Sequence, residues 1–191
     1  MELMKAIANR QSCRLYTEEQ IIESELQTIL QAANAAPVAF GYYNEVKLTV
    51  IQNSELLAKI DAAGSALFGN PNIKIRYNAP TLILVSTKIR ASVPPVFSSS
   101  SAGSEDEPMS FQYCNAACII ENMVLAATDL GLGNVYLMGV PAVLAANPEL
   151  CAELKIPEGF MPASALAIGR AAKPLNEREL TLSKIATEYF I

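Results

Sequence analysis

Two guanidiniums flank a hydroxyl near the start of the chain, in Arg10-Gln11-Ser12-Cys13-Arg14. In extended backbone, positions 10, 12 and 14 point the same way, because side chains alternate. Two Arg forks and a hydroxyl on one side suit a phosphate, or the carbonyl oxygens of a planar ring. The competing reading is a set of surface salt bridges with nearby acids such as Glu18 and Glu19. Spacing alone leaves both open.

What is missing narrows the chemistry. The 191 residues include no histidine. No Ser-His-Asp or Cys-His relay can form within one chain, and no imidazole metal site is expected. Cys13, Cys114, Cys118 and Cys151 contain no CxxC pair. They read as small, reduced, buried hydrophobes of a cytoplasmic protein. No GxGxxG follows a strand pattern and no GxxxxGK[ST] occurs; Gly131-Leu132-Gly133 falls between a helix and a strand, the wrong order for a dinucleotide fingerprint. With 14 Lys+Arg against 19 Asp+Glu the net charge is −5, so binding to nucleic acid through its phosphates is not expected. No apolar run is long enough to span a bilayer. MELMKAIANR lacks the apolar core and cleavage site of a signal peptide.

The arginine cluster must be positioned by the elements around it. Residues 2–9 read as a short helix that ends just before it. Ser24-Glu25-Leu26-Gln27 reads as a capping box opening a second helix, with Leu26, Ile29, Leu30 and Ala33 at helical spacing. Ala36-Pro37 closes that helix, because the residue before proline leaves the α region. Residues 46–52, VKLTVIQ, alternate and are β-branched, as in a strand. Asn53-Ser54 caps a helix to about Ala63, and TLILVST after Pro80 is a fully buried strand. Residues 91–108 are rich in Ser, Pro and acids and read as a flexible excursion. Residues 111–130 form the longest helix, apolar nearly all round and so central to the core or to a subunit interface. Gly131 stops it. A strand and turn at 133–139, two short proline-led helices and a buried strand at 161–169 follow. Residues 172–191 contain too few local partners for an element of their own.

The order of elements shows no repeating βαβ unit, which favours α+β. Fifty-one per cent of the residues are hydrophobic, much for a monomer of this size to cover, and a homodimer resolves that excess.

RxSxR near the start, a helix ending in AP, the stretch ENMVLAATDLGLGNVYLMG, and ALAIG followed by a basic residue occur here in one order. Taken together they resemble the nitroreductase family of FMN-dependent oxidoreductases, over nearly the whole chain. The resemblance implies a single domain over residues 1–191. Its central mixed or antiparallel sheet would be flanked by helices, with a long interface helix and a C-terminal tail exchanged between the subunits of a homodimer. It implies that Arg10, Gln11, Ser12 and Arg14 hold the phosphate, ribityl chain and pyrimidine edge of FMN. Pro37, Val38 and Ala39 would reach FMN from the partner subunit. Leu137, Met138 and Gly139 would bring a backbone N–H to flavin N5, and Asn72 and Lys74 would lie near the ring. Arg178 would close on the phosphate, with Arg170 and Lys173 as substitutes. The implied activity is hydride transfer from NAD(P)H through N5 to a flat acceptor such as a nitroaromatic or quinone, by a ping-pong sequence. No metal or catalytic side chain is implied. The same fold also serves other flavin chemistry, such as flavin fragmentation or dehalogenation, or flavin binding without turnover.

The departures bear on substrate. Many members carry an NxQPW-like stretch after the AP. Here it is Gly41-Tyr42-Tyr43-Asn44-Glu45, so Phe40, Tyr42 and Tyr43 would line the acceptor pocket, or simply pack at a strand entry. Met138 stands where some members have a carboxylate.

Overall fold

The computed structural model describes residues 2–89 and 110–191. The excursion expected at 91–108 lies outside the described residues. Four strands form one sheet in the order β1-β2-β4-β3: β1 (Val46–Ile51), β2 (Thr81–Lys88), β3 (Gly133–Leu137) and β4 (Phe160–Gly169). Every pairing is antiparallel. Among the described residues six α-helices surround it: α1 (Leu3–Asn9), α2 (Glu23–Asn34), α3 (Ser54–Leu67), α4 (Ser110–Asp129), α5 (Gly139–Ala145) and α6 (Pro148–Glu153). The architecture is α+β, as the order of elements predicts.

The central strands β2 and β4 are covered on both faces, hence their unbroken apolar runs. Alternate residues face opposite layers. Leu82, Leu84, Ala165 and Ala167 pack with α3, α5 and α6. Ile83, Val85, Leu166 and Ile168 pack with α2 and α4. Each Leu or Ile fully buried in these layers contributes about 1.5–3 kcal/mol.

Two boundaries differ from the sequence reading. Helix α2 starts one residue before Ser24, with Ile22 at its N-cap. The Glu25 carboxylate accepts the Ile22 N–H at 2.9 Å, so the reaching-back acid is Glu25, while Gln27 donates to Glu23. Helix α3 continues past Ala63 to Leu67. Gly64 sits inside it because a Cβ there would lie 3.2 Å from Ile75.

Helix α4 is apolar nearly all round but only half covered. Ala116, Ile119, Ile120, Met123, Val124 and Ala127 are buried, while Tyr113, Cys114, Ala117 and Cys118 face outward.

Arg170, just after β4, is bound to the start of α2. Its guanidinium donates to both Glu25 oxygens at 2.8 and 2.9 Å and to Glu19 at 3.2 Å. Burial would raise the Glu25 carboxyl, but the donors Arg170 and Ile22 outweigh it and hold the group below its ordinary 4.5. A depressed folded value means that the native state binds fewer protons there than the unfolded chain. The stabilisation is therefore full above pH 4.5 and is lost as the pH falls through the folded value. Glu25→Gln is expected to lower Tm by about 2–4 °C at pH 7, for a partly exposed pair worth about 1 kcal/mol, and by far less at pH 3. An equal loss at both pH values in thermal melts would contradict this.

Candidate active site

The arginine-bearing segment is held by the free edge of β3. Ser12 pairs with Asn134 as a parallel bridge, and the Cys13 N–H donates to the Asn134 carbonyl at 2.8 Å. A Cβ on Gly133 would lie 2.7 Å from the Cys13 sulfur, so glycine there permits the contact. Tyr16 is buried and donates its hydroxyl to the Cys13 carbonyl at 2.9 Å; burial pushes that phenol well above its ordinary value. With Cys13 and Tyr16 anchored inward, Ser12 and Arg14 point outward.

Beside this edge lies a cavity of about 650 Å³, within the usual range for small-molecule sites. Arg14, Asn72, Lys74, Leu137, Met138 and Gly139 line it. Residues far apart in sequence thus come together, as the resemblance implies. Among the described residues the cavity lining includes two cations and no carboxylate, in a chain of net charge −5. Among the described residues neither Arg10, Arg14 nor Lys74 forms an ion pair. Glu19, suggested as a partner for the cluster, pairs with Arg170 instead. The cavity edge is therefore electropositive and suits an anionic ligand.

Leu15, Phe68, Ile73, Ile75, Tyr77, Asn78 and Tyr136 also line the cavity, and the sequence reading had singled out none of them. The Arg14 guanidinium stands 5.8 Å from the centre of the Tyr77 ring, a cation–π distance. Tyr77 and Asn78 both adopt positive φ, 56° and 61°. Tyr136 is 44% exposed, on β3 just ahead of Met138, and partial burial raises its phenol. Its place in GNVYLMG was the available signal: in an alternating edge strand, position 136 faces away from Val135 and Leu137.

The other proposed residues lie elsewhere. Arg10 caps the end of α1 and, like Gln11 and Ser12, does not line the cavity. The tail returns to this point: Gln11 donates to the Asn176 carbonyl at 2.9 Å. The Arg178 backbone N–H and guanidinium bond the carbonyls of Ala8 and Ile7 at 2.9 and 2.7 Å. Arg178 thus sits beside the arginine cluster, whereas Arg170 is held by Glu25 and Glu19 at the start of α2. Lys173 is exposed, on a separate cavity of about 570 Å³.

Pro37, Val38 and Ala39 follow α2, on the other side of the sheet from Ile75 and Leu137. The Ala39 N–H is fixed by Asn115 at 2.9 Å. Phe40 holds φ at 59°, a conformation costly for a bulky residue. Its ring lies 5.6 Å from Tyr42 and 5.9 Å from Phe111. Phe40, Tyr42 and Tyr43 are 42–52% exposed. Within one chain this aromatic group does not meet the cavity.

Fold and cavity define an α+β chain with an antiparallel sheet and, at one sheet edge, a cavity lined by two cations. A model of the nitroreductase family matches residues 7–170. A protein of Archaeoglobus fulgidus, provisionally named as an NADH dehydrogenase/NAD(P)H nitroreductase, is 32% identical over 170 residues, covering 88% of this chain and 84% of that protein. The crystal structure of a nitroreductase with bound FMN from Bacteroides fragilis superposes with a TM-score of 0.75 at 24% identity, covering 99% of this chain and 100% of that one. A BluB-like flavoprotein from Clostridium difficile gives 0.79 at 20% identity, with both chains fully covered. This chain belongs to the nitroreductase family.

Proposed function

We propose that the protein is an FMN-dependent, NAD(P)H-linked oxidoreductase, working as a cytoplasmic homodimer on a flat acceptor such as a nitroaromatic or quinone. The observation that carries this reading is the cavity, with Arg14, Lys74 and Asn72 beside the backbone of Met138 and Gly139 and no acid among the described residues of its wall. The FMN-bound state of the Bacteroides fragilis structure supports the choice of ligand. No described helix is long and apolar enough to cross a membrane.

When bound, FMN supplies the two-electron carrier, taking hydride from NAD(P)H at N5 and giving it to the acceptor, so no general base on the protein is needed. Arg14 and Lys74 would bring positive charge to the pyrimidine edge, where reduction builds negative charge. The Gly139 and Val140 N–H groups at the start of α5, ahead of Pro141, have no partner within the helix. They and the Met138 N–H would orient the ring. Arg10, Gln11, Ser12 and Arg178, around the end of α1, are assigned to the ribityl chain and phosphate. Pro37, Val38 and Ala39 of a second copy would cover the ring, with Phe40, Tyr42 and Tyr43 lining the acceptor pocket. Supporting this assembly, the outward face of α4 presents Tyr113, Cys114, Ala117 and Cys118 ahead of Glu121, and the tail leaves Leu182, Ile185 and Phe190 80–95% exposed.

The test is turnover. NADH or NADPH should bleach the protein-bound flavin without oxygen, a quinone or nitroaromatic should restore the colour, and initial rates should follow ping-pong kinetics. Flavin that stays oxidised would mark a binding protein without turnover. Flavin that is consumed would mark other flavin chemistry.

A further inference from the structure

Beside Arg14 and Tyr136, the cavity owes the rest of its polar wall to residues 72–78, a loop without regular structure. What fixes that loop is helix α3 behind it. The Ser65 hydroxyl donates to the Ile73 carbonyl at 2.8 Å. Ile75 is wedged between two glycines, where a Cβ on Gly64 or on Gly139 would come within 3.2 Å of it. Arg76 turns inward to Asp61, with Nη2 3.0 Å from Oδ2; the Asp61 side chain is buried, 5% exposed, and that of Arg76 largely so, 13% exposed. Arg76 also donates through Nη1 to the Ala79 carbonyl, closing a turn with the Ala79 N–H on its own carbonyl at 3.1 Å. Neighbouring Lys74 and Tyr77 are then left on the cavity side.

A buried ion pair is weak evidence for stability, because desolvation offsets its attraction. Here the cost is visible: Asp61 Oδ1 and Arg76 Nε have no partner among the described residues. Burial pushes the Asp61 carboxyl above its ordinary value although Arg76 pulls it down. An apolar pair would fill the same space with less desolvation. It would not fix the direction of Arg76, nor tie it to Ala79. We propose that Asp61 and Arg76 are positioning residues, whose pairing orients the 72–78 loop so that Lys74 and Tyr77 face the ligand. This rests on the FMN reading for its affinity readout only.

The discriminating variant is the apolar double replacement Asp61→Leu with Arg76→Met. A merely structural pair predicts an unchanged or raised Tm and unchanged FMN affinity. The positioning role predicts a near-native Tm with the FMN Kd of the apoprotein raised about ten-fold, the loss of one well-placed contact. Amide exchange at Tyr77 and Ala79 should also speed up by about ten-fold. Should the double variant not fold, Asp61→Asn is compared with Ile60→Val, a destabilising change on the same helix. Asp61→Asn should weaken FMN binding and speed exchange, and Ile60→Val should do neither. Native affinity and native exchange in the double variant, or in Asp61→Asn, would overturn the proposal. If the wild-type chain binds no FMN, the functional reading fails, and the exchange rates alone decide the positioning role.

Discussion

Arg14→Ala is expected to raise the FMN Kd about ten- to a hundred-fold while leaving the Tm of the apoprotein nearly unchanged. The affinity loss follows from removing one charge-assisted contact, about 1.5–3 kcal/mol. Stability is spared because Arg14 is exposed and forms no ion pair among the described residues; surface changes of that kind stay within about 0.5 kcal/mol. Arg14→Lys should recover only part of the affinity, since an ammonium keeps the charge but lacks the planar fork. Fluorescence titration of apoprotein with FMN checks the two affinities, and a thermal melt of the apoprotein checks the stability. Native affinity in Arg14→Ala would remove the cavity's principal cation from the account.

Deleting residues 180–191 is expected to convert a dimer into monomers and to abolish tight FMN binding. The cut leaves Gln11–Asn176 and the Arg178 contacts with α1 in place. What it removes touches little of its own chain: Leu182 is 92% exposed, Ile185 80% and Phe190 95%. In a monomer, losing such side chains should be neutral or favourable. If a partner covers them, each contributes about 1.5–3 kcal/mol, and together they hold the dimer. Sedimentation at several concentrations, with FMN titration alongside, separates the cases. A truncated chain that dimerises and binds FMN like the parent would contradict tail exchange.

The elements were legible where one local pattern decided them. The apolar runs of β2 and β4 are buried on both faces, and Asn53 caps α3 by accepting the Leu56 N–H at 3.0 Å. The start of α2 was misread because Glu25 can reach back to any backbone N–H three residues earlier; it serves Ile22, whose side chain caps nothing. In the candidate site, the motif residues Arg14, Asn72, Lys74 and Met138 converge on one cavity. The cation assignments were not legible, since which carboxylate meets Arg170 is set by how β4 runs past α2, not by spacing. The wedge at Ile75 was equally hidden, because it depends on two glycines 75 positions apart that meet only in the folded chain. No motif marks Tyr77 or Tyr136; their alignment along the cavity comes from a left-handed turn and an edge strand.

The most direct measurement is a crystal structure of the protein grown with FMN. The account predicts a tricyclic ring between Arg14 and Lys74, against the backbone of Met138 and Gly139, with Phe40 of the partner subunit over its open face. A flavin bound elsewhere, or both cations facing solvent with no ring in the cavity, would contradict it.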